Sequence, residues 1–171
     1  TISAGTLALG AGGSLADTSG VQLTNSAIFD VSATGFTVGT GKTLSGAGSV
    51  VGAVTNAGTV STLTGQTLTL SGTLTNTGTL SAGGTLALNG GGTSSGAIAL
   101  AGGGVVFGSL GETFTVSNAA TGLTGSGGLT FAGGTTVLDY GVTNAPVTIS
   151  QTLGFTGGTL ELPGANSLRT S

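Results

Sequence analysis

The chain contains no His, Cys, Met or Trp, only two Pro, and two cations against five carboxylates. Charged residues make up 4% of it, where about 25% is usual. With Lys42 and Arg169 as the sole cations, the counterion release that drives nucleic-acid binding is nearly absent, and DNA and RNA are excluded as natural partners. The same scarcity removes any polybasic attraction to anionic lipid. No run of about 18 apolar residues is present to span a bilayer, so membrane insertion of this segment is not expected. Without Cys there is neither a disulfide nor a thiolate metal site, which fits a reducing interior or an exterior protein stabilised without staples. No charged, apolar leader opens the sequence and Thr1 stands in mid-pattern, which reads as a processed chain or an excerpt. No Asn-x-Ser/Thr sequon occurs, so N-glycosylation is not expected.

What is present is 37 Gly with abundant Thr, Leu, Ala and Val, a mean hydropathy of +0.50 and a net charge of −3. Disordered chains combine low hydrophobicity with high net charge; this one should fold or self-associate. Its inward residues are small and few are aromatic, so the core must be narrow and stability must come from many stacked copies of one unit.

That unit is legible between residues 43 and 89. Leu68, Leu70, Leu74, Leu80, Leu86 and Leu88 share even parity, while Thr67, Thr69, Ser71, Thr73, Thr75, Thr77, Thr79, Ser81 and Thr85 are odd. Alternation of this kind is a strand signal. Val51-Gly-Ala-Val-Thr-Asn-Ala-Gly-Thr-Val-Ser61 returns as Ser71-Gly-Thr-Leu-Thr-Asn-Thr-Gly-Thr-Leu-Ser81, and a repeat this short is one coil of a solenoid. Gly72, Gly78 and Gly84 each precede Thr-Leu, so every six residues hold a strand and a corner. Three such units give a coil of about 18 to 20 residues. Corner glycines supply unusual dihedrals or allow close approach of backbones. Asn56 and Asn76 occupy matching places with the parity of the leucines; they should stack as a structural amide ladder that satisfies polar groups otherwise costly to bury.

The flanks repeat this grammar more loosely. Thr6-Leu-Ala-Leu9, Val21-Gln-Leu-Thr24, Ala27-Ile-Phe-Asp-Val31 and Phe36-Thr-Val38 read as short strands, separated by Gly10-Ala-Gly-Gly-Ser14 and Asp17-Thr-Ser-Gly20 as turns. Beyond residue 90, Phe107, Phe114, Phe131 and Phe155 imply a wider core. Pro146 and Pro163 should flank strands, because Pro cannot donate to a ladder. No helix is expected, since the 3.6 period is missing.

Four motifs invite a chemical reading. Gly92-Thr-Ser94-Ser-Gly96 has the outline of a hydrolase nucleophile elbow, but no His exists to act as its base, and it reads as a glycine-serine turn. Thr40-Gly-Lys-Thr43 resembles the end of a phosphate-binding loop, yet Phe36 stands where its first Gly belongs and strand grammar follows. Asp17, Asp30, Glu112, Asp139 and Glu161 are scattered. No metal site or cofactor follows from their spacing; only Asp139 and Glu161, about one coil apart, could be brought near each other as a glycosidase needs. Thr67-Leu-Thr69 and Thr73-Leu-Thr75 raise ice or carbohydrate binding, although Thr-x-Thr does not recur at one fixed coil position.

Phe29-Asp-Val-Ser32, Gly35-Phe-Thr-Val-Gly39, Gly41-Lys-Thr-Leu-Ser-Gly-Ala-Gly-Ser-Val-Val-Gly52 and residues 72–81 resemble the autotransporter-associated β-strand repeats, and similar haemagglutinin-like passengers, of large bacterial surface proteins. The resemblance covers about two thirds of the chain and is weakest after Gly90. It carries no functional residues over. It implies a right-handed parallel β-helix, exported and displayed as a rod, adhesin or filament.

The expectation is thus an all-β parallel β-helix, or β-solenoid, of about 20 residues per coil and eight or nine coils, continuous over residues 1–171. Its expected role is structural, as an extracellular or cell-surface bacterial rod or fibre that self-associates end to end or laterally and touches host or environmental surfaces. The alternative is a binding module for carbohydrate or ice on a Thr-rich face. A third class is an enzyme whose active groups lie elsewhere in a longer chain.

Overall fold

The computed structural model describes residues 1–108 and 111–170. It is a β-solenoid of ~8 turns with ~21 residues per turn and ~55% strand. Every strand pairing among the described residues is parallel.

In chain order, the first turn supplies β1 (Thr6–Ala8) and the second β2 (Gly20–Asp30) and β3 (Phe36–Val38). The third holds β4 (Thr43–Val51) and β5 (Val54–Asn56); the fourth β6 (Thr59–Thr62), β7 (Thr67–Leu70) and β8 (Leu74–Asn76). The fifth has β9 (Thr79–Ala82), β10 (Thr85–Leu88) and β11 (Gly92–Ser94), the sixth β12 (Ala97–Leu100), β13 (Gly104–Phe107) and β14 (Thr113–Val116). A short helix, α1 (Ala119–Gly122), then precedes β15 (Leu123–Gly125), β16 (Gly128–Phe131) and β17 (Thr135–Leu138). The last turn carries β18 (Ala145–Ile149), β19 (Thr152–Phe155) and β20 (Thr159–Glu161), and is followed by β21 (Ala165–Thr170).

Three faces result. The long strands β2 and β4 bend round a corner: residues 43–45 of β4 pair with β6 while residues 48–50 pair with β7. Face 1 therefore stacks the first halves of β2 and β4 with β6, β9, β12 and β15, and face 2 stacks β1 and the second halves with β7, β10, β13, β16 and β19. Face 3 is the separate sheet β3-β5-β8-β11-β14-β17-β20. At about 4.8 Å per rung, eight turns make a rod roughly 40 Å long.

The even-numbered leucines of residues 68–88 are all buried, so the parity holds across corners as well as along strands. One inward file on face 2 runs, rung by rung, through Leu7, Phe29, Val50, Leu70, Leu88, Phe107, Phe131 and Phe155. Its aromatic end is a stack: the rings of Phe107 and Phe131 lie 5.7 Å apart and 8° from parallel, and Phe131 and Phe155 lie 5.0 Å apart. The larger side chains accompany longer turns, since partners on face 2 go from Leu68 and Leu86 to Val105 and Leu129.

The glycines at 72, 78 and 84 do mark three successive corners, but the reason is close approach rather than unusual φ. A Cβ on Gly72 would lie 2.2 Å from the carbonyl oxygen of Gly52, and one on Gly78 2.3 Å from that of Gly58. One on Gly84 would lie 2.3 Å from that of Gln66. Each begins or continues a file of touching backbone, as Gly90 lies against Gly72, Gly96 against Gly78 and Gly103 against Gly84.

Two expectations are corrected. A helix is present, α1, four residues with no side-chain cap, inserted where the turn lengthens between β14 and β15. Pro146 lies inside β18, at the register irregularity between Ala145 and Pro146. There the regular sheet stops: β18 pairs with β21 in a separate two-stranded sheet and not with β15. A residue without an N–H suits such a break. Pro163 does lie outside the strands, in the turn after β20.

Candidate functional site: an inner amide ladder and an outer threonine row

The polar interior is concentrated on face 3. Its inward file reads Val38, Asn56, Asn76, Ser94, Val116, Leu138. Asn56 Nδ2 donates to Asn76 Oδ1 at 2.7 Å and to the Thr79 carbonyl at 3.1 Å, while the Gly58 N–H donates to Asn56 Oδ1 at 3.2 Å. Asn76 Nδ2 in turn donates to Ser94 Oγ at 2.8 Å. The ladder thus has a third rung that the eye misses in the sequence, because Ser94 follows Asn76 by 18 residues and Asn76 follows Asn56 by 20. All three residues are buried, and no buried side-chain polar atom among the described residues lacks a partner.

This placement disposes of the nucleophile outline. Ser94 is not in a turn; it is the last residue of β11, pointing inward at 0% exposure. Lys42 sits at a corner between β3 and β4, its Nζ donating to the Ala16 carbonyl of the loop that precedes β2, and no helix follows it. Asp30 ends β2 and receives the Ser32 hydroxyl at 2.7 Å and the Ser32 N–H at 2.9 Å. The hydroxyl, and after it the N–H, hold the Asp30 carboxyl below its ordinary value of 3.8. Asp139 likewise accepts the Gly141 N–H, at 2.8 Å.

Asp17 and Glu112 are exposed on separate turns. Asp139 and Glu161 are not opposite one another: Glu161 pairs with Val137, two residues before Asp139. Among the described residues no three of His, Cys, Asp and Glu come together as a metal group would require. A shallow cleft of about 210 Å³ lies between the loop before β2 and the start of β3, lined by Leu9, Leu15 and Phe36 with Ser14 and Thr34 and bearing no charge.

The outward side of face 3 holds a pattern that the sequence conceals. Thr37, Thr55, Thr75, Thr93 and Thr115 pair in unbroken succession, one per turn for five turns, with no register shift. The first four are exposed and Thr115 is half-buried. Thr73 and Thr77 flank Thr75, Ser95 follows Thr93, and Thr113 and Ser117 flank Thr115. Val137 and Glu161 end the row. On face 1 a second pair of rows, Thr43-Thr59-Thr79 and Ser45-Ser61-Ser81, runs for three turns before Ala97 and Ala99 replace it. Thr67 and Thr69 belong to face 2, where the file of Thr69 passes to Ala87 and Val106 and no hydroxyl row forms.

The five-threonine row was hidden by unequal turn lengths. Aligning the short strands Phe36-Thr-Val38, Val54-Thr-Asn56, Leu74-Thr-Asn76, Gly92-Thr-Ser94 and Phe114-Thr-Val116, in place of a fixed period, brings it out. Compared with known proteins, the chain matches no family model, no curated protein and no solved structure.

Proposed function

We propose that the chain is a structural rod segment of an extracellular bacterial surface fibre, exposing long regular faces in place of a pocket. The observation that carries this reading is the inward file from Leu7 to Phe155, which keeps one register through every turn. Its outermost members remain partly open, Leu7 at 38% and Phe155 at 55% exposure. Rungs of this form accept a further rung of the same kind, from more of the same chain or from another copy, because parallel strand edges are templates for pairing. The near absence of charge supports the same reading, as few like charges oppose lateral contact between copies. The resemblance to autotransporter-associated repeats points to display outside the cell.

Small-angle scattering and negative-stain electron microscopy over a concentration series test this reading. An elongated particle that lengthens or bundles as concentration rises is expected. Dispersed compact monomers at high concentration would end it.

A further inference from the structure

We propose that the outward side of face 3 is an ice-binding surface whose ligand is an ordered water lattice. The contact row is Thr37, Thr55, Thr75, Thr93 and Thr115. Three features of the row carry the inference.

Its spacing is that of stacked strands, about 4.8 Å per rung, close to the repeat between equivalent oxygens along the surface of hexagonal ice. The register has no bulge between β3 and β14, whereas β2 and β4 on the other sheet are interrupted between Leu23 and Ala27. Equal spacing is therefore kept over five turns.

Its chemistry is uniform. Every rung presents a hydroxyl that can join a water lattice and a methyl that liquid water hydrates poorly. Threonine is stiff at χ1 and the backbone beneath is a hydrogen-bonded ladder, so little freedom is lost on contact. The flanking outward positions Gly35, Gly39, Ala53, Ala57, Thr73, Thr77, Ser95, Thr113 and Ser117 are neither charged nor aromatic, and the Lys42 and Glu112 side chains stand only at the margins, against Gly39 and Gly91. A charge would hold its own hydration shell against the lattice, and a sugar polymer finds no ring to stack on.

Its size is small for a stable protein partner docking on this face alone. Five rungs span about 19 Å along the axis and five residues about 13 Å across, roughly 250 Å². A lasting protein interface needs about 800 Å² on each side. A crystal surface has no such requirement, because it repeats the same contact and engages every rung at once.

This inference is independent of the rod reading, which is judged by particle shape and not by ice growth. The test is thermal hysteresis and ice-crystal shaping by the full chain, beside Thr75→Lys and Thr93→Lys on face 3 and Thr69→Lys on face 2. Far-UV circular dichroism and melting curves establish that each variant is folded. The unsubstituted chain is expected to facet ice and hold it below its melting point. Either face 3 variant should lose about tenfold of that activity, while Thr69→Lys keeps it. Unaltered ice growth with the unsubstituted chain would overturn the proposal, as would an equal loss in Thr69→Lys. Co-sedimentation with an insoluble polysaccharide in place of any effect on ice would assign the face to a sugar polymer and overturn it too.

Discussion

Between Thr43 and Gly96 each turn is short, its corners are files of touching glycine backbone, and its core is aliphatic with the Asn56-Asn76-Ser94 ladder running through it. From Gly104 onward the turns lengthen, the ladder gives way to Val116 and Leu138, and Phe107, Phe131 and Phe155 take over the file held earlier by Val50, Leu70 and Leu88. A helix enters one corner and a separate sheet forms at Pro146. The two regions show that turn length and core volume change together. Glycine corners let three strands close on a narrow core, and larger side chains come with extra residues at the corners.

The comparison breaks most severely where backbones touch. Gly78→Val places a Cβ only 2.3 Å from the Gly58 carbonyl oxygen, and neither backbone can retreat without disrupting its own ladder. A loss above about 3 kcal/mol, or failure to fold, is expected in urea unfolding. The same exchange at Gly102, whose Cβ site is open although its φ is +88°, should cost less, about 1–2 kcal/mol.

Exchanging core residues between the regions sharpens the contrast. Leu70→Phe puts an aromatic ring into a narrow turn and should cost about 1–3 kcal/mol by overpacking. Phe131→Leu, in the wider part, loses a ring stacked on Phe107 and tilted against Phe155. It should cost about 1–2 kcal/mol, part of it the stacking itself. A Leu70→Phe variant as stable as the unsubstituted chain, measured as an unfolding free energy, would contradict the link between turn length and core size.

The ladder can be dissected next. Asn76→Leu removes the donor to Ser94 Oγ and the acceptor of Asn56 Nδ2, which keeps only the Thr79 carbonyl. The expected loss is about 1–3 kcal/mol. Replacing Asn56, Asn76 and Ser94 together by Val extends the Val38 and Val116 file through the middle turns and should cost less than Asn76→Leu alone, because no side-chain amide or hydroxyl of the ladder is left unpaired and the Gly58 N–H keeps the Val38 carbonyl.

The smallest effect lies at Asp30. Its carboxyl is held below 3.8 by Ser32, so the linked stabilisation is present in full above that value and is lost as pH falls through the lowered folded value. In Ser32→Ala the carboxyl should move back toward 3.8, read from the pH dependence of its NMR resonance. An unchanged titration would show that Ser32 is not the cause.

Alternation is a local property, and so the solenoid, its three strands per turn and the Asn56–Asn76 contact were legible between residues 43 and 89. Backbone geometry sends every second side chain inward whatever the rest of the chain does, and two nearly identical repeats place like on like. The register of unlike turns was not legible in this way. Ser94 beneath Asn76 and the five-threonine row join turns of different length, and the Phe107-Phe131-Phe155 stack joins turns longer than the repeat of residues 51–81, so the residues absorbed at each corner decide who lies above whom. That number is settled by packing: by how closely glycine backbones approach, by the volume a phenyl ring needs, and by the hydrogen bonds that a proline withholds from the next rung.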